Sequence, residues 1–207
     1  MLQEGERIDN HDKVCAEYYA TLLMLGAYDD EFASFASIPD MFNRTVVLNG
    51  FSKAFAMTGW RLGFLCAPKE LAEAMLKIHQ YAIMCASSMA QFAAIEALKN
   101  GMDDVEDMRR SYRARRNYIV KSFNEIGLEC HVPGGAFYAF PSIKSTGLSS
   151  EEFAERLLLE EKVAVVPGNV FGECGEGHVR ASYASSLEQL QEAVKRMKRF
   201  IDRLEGK

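Results

Sequence analysis

The hydrophobic period changes along this chain, and that change limits its possible folds more than any other feature. TVVLNGF (45–51) is β-branched and apolar on both faces, the pattern of a central strand covered on each side. RLGFLCAP (61–68) reads as a second strand ended by Pro68. From Pro68 the apolar residues fall at helical steps, with Leu71, Met75, Ile78 and Ala82 on one face and the proline at the first helical position. A helix is expected over 88–100, with Phe92, Ile95 and Leu98 along it and Gly101 just past its end. A long charged helix follows over 103–126, its stripe made of Val105, Met108, Tyr112, Ile119, Phe123 and Ile126.

Beyond Gly127 the texture becomes short strands and two helices. LECHV, AFYAFPSI, VAVVP and HVRASYA are strand-like. Ser149 with Glu152 and Ser186 with Gln189 each form a capping box before an apolar run. The last helix carries Leu187, Leu190, Val194, Met197, Ile201 and Leu204 at three- and four-residue steps. The C-terminal part is therefore expected to be an α/β layer joined through one long helix to what precedes it. At the other end, residues 1–12 are polar without periodicity, and 13–28 suit a buried helix or a strand equally well.

Composition narrows the function classes. Apolar residues make up 48% and charged residues 26%, which excludes a disordered tail or a disulfide-dense miniprotein. The net charge of −5 argues against nucleic acid as a partner. Five cysteines, at 15, 66, 85, 130 and 174, form no CxxC pair and read as reduced, mostly small buried hydrophobes in a cytoplasmic protein. No apolar run reaches the roughly 18 residues of a membrane span, so no membrane partner is expected, and the start is too polar for a signal peptide. The histidines at 11, 79, 131 and 178 do not cluster at metal spacing, so no metal is expected. The arginines at 109, 110, 113, 115 and 116 share their segment with Asp103, Asp104, Glu106 and Asp107 and read as a solvated helix face.

The residues with chemical character lie in LNGFSKAFAMTGWRLGF (48–64). Lys53 stands among Phe51, Ala54, Phe55, Ala56 and Met57. Poor hydration there disfavours the ammonium and makes a nucleophilic amine more available. Ser52 and Arg61 add a hydroxyl and a planar cation, both suited to phosphate. An amine able to form an imine beside a phosphate anchor is what a pyridoxal phosphate site requires.

NGFSKAFAMTGWRLG resembles the cofactor-lysine segment of class I aminotransferases, the fold-type I pyridoxal phosphate enzymes. Downstream, VPGGAFYAFP (132–141) resembles the glycine-rich turn and strand that open their small domain, and VAVVPGNVFGECGEGHVRASYA (163–184) resembles their final strand pair. The resemblance implies that Lys53 is catalytic and holds the cofactor as an imine before acting as the base that moves the substrate proton. It further implies that Ser52 and Arg61 bind the phosphate, and that Arg180 of the RxSxA pattern binds the substrate carboxylate. Gly134, Gly135, Gly168 and Gly172 are read as serving backbone geometry.

The implied fold is α/β, a fold-type I transferase with a partial large cofactor domain, its mixed sheet flanked by helices, and a complete small C-terminal α/β domain. The implied division is 1–27 unmatched, 28–102 partial large domain, and 103–207 connecting helix and small domain. The implied activity moves an amino group between an amino acid and a 2-oxo acid in a homodimer. Two other readings stand beside it: a truncated, non-catalytic fragment or pseudoenzyme, and a lyase or synthase of the same fold. The fragment reading rests on departures from the family pattern. Counted back from Tyr28 without a gap, the family's Asp and Tyr partners of the cofactor ring fall on Ala20 and Leu23, and Glu17 is out of register. Gly50 stands where many relatives have a second phosphate-binding serine, and the family's N-terminal half has no counterpart. A sheet lacking strands is expected to leave apolar surface uncovered and to favour self-association.

Overall fold

The computed structural model describes Tyr28 and residues 34–206. The expectations for residues 1–27, including the helix-or-strand question at 13–28 up to Tyr28 and the positions Ala20, Leu23 and Glu17, lie outside the described residues. The chain divides into two compact units, Met1–Arg109 and Arg110–Lys207.

In the first unit, strand β1 (Val47–Gly50) runs antiparallel to β2 (Gly63–Cys66), with Gly50 opposite Gly63. A Cβ on Gly63 would stand 2.9 Å from the Asn49 carbonyl oxygen, so the strands approach this closely only because that position is glycine. A single helical turn, α1 (Phe51–Ala54), follows β1 directly. Helix α2 (Lys69–Ala82) starts one residue later than the sequence implies, with Pro68 as its N-cap and not its first helical residue. Helix α3 (Ser88–Asn100) has the expected bounds. Gly101 caps α3 at φ −90°, not in the left-handed region; a Cβ there would lie 2.7 Å from the Ala97 carbonyl oxygen, so its smallness is what the position uses.

Phe51, Met57 and Ala94 are the buried centre of this unit, with Phe55, Phe64 and Leu98 packed around them. The expectation of a strand covered on both faces is corrected. Among the described residues β1 pairs with β2 alone, and Leu48 is 71% exposed. Likewise, α2 has its apolar stripe but buries none of it, and Ile78 is 73% exposed. Both segments carry surface meant for a neighbour that the described residues do not supply.

Helix α4 (Met102–Glu125) matches the expected long helix. In the second unit, β3 (Tyr138–Ala139), β4 (Val166–Pro167) and β5 (Val179–Ser182) form an antiparallel sheet in the order β3-β5-β4. Tyr138 pairs with Ser182 and Val166 with Arg180, and a bridge joins Ser142 to His178. Alternation along β5 puts Val179 and Ala181 in the core and Arg180 on the other face. Helices α5 (Ser150–Glu161) and α6 (Leu187–Leu204) both begin with the expected capping boxes, each satisfying otherwise unpaired backbone donors. Leu157, Met197 and the edge-to-face pair Phe153 and Phe200, with ring centroids 5.4 Å apart, are fully buried. Leu187, expected in the stripe of α6, is exposed.

Three further expectations are revised here. LECHV forms no strand: the Asn124 side chain takes both backbone groups of Cys130, its amide nitrogen donating to the Cys130 carbonyl at 3.2 Å and its oxygen accepting from the Cys130 N–H at 3.1 Å. Of its backbone groups only the Glu129 carbonyl meets the neighbouring segment among the described residues, accepting from the Ser142 N–H at 2.8 Å. Arg116 is buried, not solvated, and donates to the Pro133 carbonyl at 3.1 Å, while Arg110 and Arg113 are exposed as expected. Of the four cysteines described, all free thiols, only Cys130 is buried, and burial raises its pKa; Cys85 and Cys174 are exposed.

Glu161, 3% exposed at the end of α5, accepts from Arg199 and Arg203 of α6. The Arg199 hydrogen bonds are the main reason its carboxyl is held down to about 2, with Arg203 adding to the effect.

Candidate functional site

The short helix α1 and the turn after it present the cofactor-segment residues. Phe51 donates its N–H to the Leu62 carbonyl at 3.2 Å, so the backbone beside Ser52 is tied to the backbone beside Arg61. Ala56 and Arg61 take left-handed backbone angles, φ 53° and 52°, at either end of the intervening AMTGW turn. Non-glycine residues held there are strained by roughly 1–3 kcal/mol each, a cost that surrounding structure must offset. The Arg61 guanidinium helps close the turn by donating to the Thr58 carbonyl at 3.0 Å.

Lys53 is exposed, which corrects the expectation of a poorly hydrated amine. The reason is directional. Phe51, Ala54 and Met57 turn inward, whereas Lys53 lies on the opposite side of a single helical turn. Its sequence neighbours are therefore not its spatial neighbours. Among the described residues no side chain or backbone group bonds the Lys53 amine or the half-buried Ser52 hydroxyl. The three side chains thus offer an amine, a hydroxyl and an exposed cation from one turn. This donor set fits the aldehyde and phosphate of pyridoxal phosphate.

Arg180 lies in the other unit, half-buried on the sheet face away from the core. Its guanidinium carbon stands 4.4 Å from the ring centroid of Tyr138 and 4.6 Å from that of Phe171. No carboxylate pairs with it among the described residues. His178, on the same face, stacks on Phe140 with centroids 5.4 Å apart.

The two rings flanking Arg180 were not among the residues singled out by sequence. The signal was present in the register: Tyr138 and Phe140 alternate on β3 and its extension, facing the same side as Arg180 and His178. One of the glycines read as geometric also shows why. A Cβ on Gly168 would lie 2.1 Å from the Gly175 carbonyl oxygen, and the Gly168 N–H donates to the His178 carbonyl at 2.9 Å. This crossing pins the 168–175 loop, and with it Phe171, to the start of β5.

The family model for aminotransferase class I and II matches residues 14–197. The match begins inside the 1–27 segment that the residue-by-residue reading leaves unmatched. The putative aminotransferase YugH of Bacillus subtilis (strain 168) is 69% identical over 199 residues, covering 95% of this chain and 50% of that protein. The aspartate aminotransferase of Pyrococcus abyssi is 51% identical over 177 residues, covering 84% of this chain and 46% of its own length. Among solved structures, the aromatic aminotransferase from Pyrococcus horikoshii superimposes with a TM-score of 0.81 at 42% identity, covering 93% of this chain and 55% of that one. The chain belongs to the class I and II aminotransferase family, with the fold-type I architecture, and spans about half the length of the curated relatives it matches.

Proposed function

We propose that this chain takes part in moving an amino group between an amino acid and a 2-oxo acid, with pyridoxal phosphate held at Lys53. When bound, that group supplies an aldehyde for a primary amine and a ring that draws electrons from the substrate's α-carbon. Ser52 and Arg61 donate hydrogen bonds to the phosphate and so fix its distance from Lys53. The Lys53 amine anchors the group and, once released from it, carries a proton at Nζ to and from the substrate. Arg180 receives the substrate carboxylate. The observation that carries this reading is the turn itself: in a chain of this family, one backbone-tied turn presents an unbonded amine, an unbonded hydroxyl and an exposed guanidinium.

The same reading assigns a cytoplasmic location, supported by four free cysteines among the described residues. It also assigns a homodimer, supported by the uncovered apolar surface of the first unit. No helix of the described residues is long and apolar enough to cross a membrane.

The test is to incubate the purified chain with pyridoxal phosphate, an amino acid and a 2-oxo acid, and to follow the new amino acid by chromatography. Product from the parent chain and none from Lys53→Ala is the expected result. Product that persists in Lys53→Ala would contradict the assignment. A second reading, ligand binding without turnover by this chain alone, is favoured by the exposure of Lys53 and by the chain spanning half its relatives' length. Cofactor uptake without product would select it.

A further inference from the structure

Arg180 presents a problem of placement. An arginine side chain has several free torsions, and one that must meet a carboxylate with two parallel N–H bonds gains from being held beforehand. Arginines are commonly fixed by a carboxylate, but that partner would compete with a ligand carboxylate for the same donors. Here no acid is paired with the guanidinium among the described residues, and two aromatic rings flank it instead. Aromatic faces attract the cation through their quadrupole and use none of its N–H donors.

We propose that Tyr138 and Phe171 are positioning residues that hold the Arg180 guanidinium ready for a carboxylate while leaving its N–H donors free. The inference rests on the proposed carboxylate role of Arg180. Each ring is itself fixed from elsewhere. Tyr138 sits on β3, paired with Ser182 of β5, while Phe171 is carried by the loop pinned where Gly168 and Gly175 cross. Phe140 meets Phe171 edge-on, with centroids 6.2 Å apart, and bears on it from the other strand. The rings lie on the outer face of the sheet, 36% exposed for Tyr138 and 49% for Phe171, so core packing does not explain their presence. An exposed pair of rings around a half-buried, acid-free guanidinium is accounted for by what it does to that cation.

The experiment uses the full chain with 15N-labelled arginine, acetate as the probe, and the Arg180 side-chain Nε–Hε signal, assigned by its loss in Arg180→Lys. In the parent chain, ring currents are expected to move the Arg180 side-chain protons upfield, and acetate is expected to shift the Nε–Hε signal in a saturable way. Tyr138→Leu and Phe171→Leu should each weaken acetate binding about three- to fivefold, the effect of one cation–ring contact at a partly exposed site. Phe171→Tyr, which keeps the ring, should restore parent behaviour. A parent Arg180 that ignores acetate would overturn the carboxylate role itself. Saturable binding that is unchanged in both leucine variants would overturn the positioning role alone, as would the absence of ring-current shifts in the parent.

Discussion

The two units of the chain are built to different degrees, and the one with the more apolar sequence is the less well covered. In the Arg110–Lys207 unit the amphipathic helices are used: Phe153 and Leu157 on α5, and Met197 and Phe200 on α6, are sealed from solvent. In the first unit α2 has an equally legible stripe, yet it buries nothing, and Tyr81 near its end is 95% exposed. Periodicity thus shows that a helix has a face to bury. It does not show that the partner surface belongs to the same stretch of chain. The contrast also separates the proposed chemical roles, with the cofactor turn on the thinly covered unit and the carboxylate arginine on the well-packed one.

The contrast can be broken most forcefully at Phe200. Phe200→Ala should destabilise the C-terminal unit by about 3–5 kcal/mol in urea unfolding followed by circular dichroism, because the side chain is sealed on every side. A cost below about 1 kcal/mol would show the core of this unit to be as loose as that of the first. The Glu161 clamp offers a pH-dependent test. Its folded carboxyl, lowered to about 2 by Arg199 and Arg203, contributes stability that is fully present above the ordinary value of 4.5 and is lost as pH falls through about 2. Glu161→Gln should lower the midpoint of thermal unfolding at pH 7 and flatten its decline over that window. An unchanged slope would assign the decline to other acids.

Smaller effects sharpen the same comparison. Ser149→Ala removes the cap of α5 and should cost about 1 kcal/mol by the same unfolding measurement. Ile78→Ser, on the uncovered face of α2, should change stability by less than about 0.5 kcal/mol while reducing self-association in light scattering. A large loss of stability there would mean that Ile78 is packed in solution.

What could be read from sequence follows the range of the forces involved. Both capping boxes were legible because a cap is settled within four residues, and the helix at 88–100 because Phe92, Ile95 and Leu98 recur at helical steps. The turn that presents Ser52, Lys53 and Arg61 was legible because its residues are nearly contiguous. The burial of β1 was misread, since a doubly apolar strand states a need for two covering layers and says nothing of whether they are supplied. Arg116 was misread because only the tertiary position of the Pro133 carbonyl distinguishes it from the arginines beside it. LECHV failed as a strand where the Asn124 amide, which can mimic a ladder partner, takes both backbone groups of Cys130. The hydration of Lys53 was misjudged by treating neighbours in sequence as neighbours in space. The rings around Arg180 needed the pairing register of β3 and β5.

The central claim is that Lys53 is the cofactor lysine, and one measurement addresses it directly. The purified chain is mixed with pyridoxal phosphate, reduced with borohydride, digested, and mapped by mass spectrometry. The account predicts a pyridoxyl mass on the peptide containing Lys53, at far higher occupancy than on the exposed Lys69 or Lys121. Labelling spread evenly over surface lysines, or concentrated on any lysine other than Lys53, would contradict it.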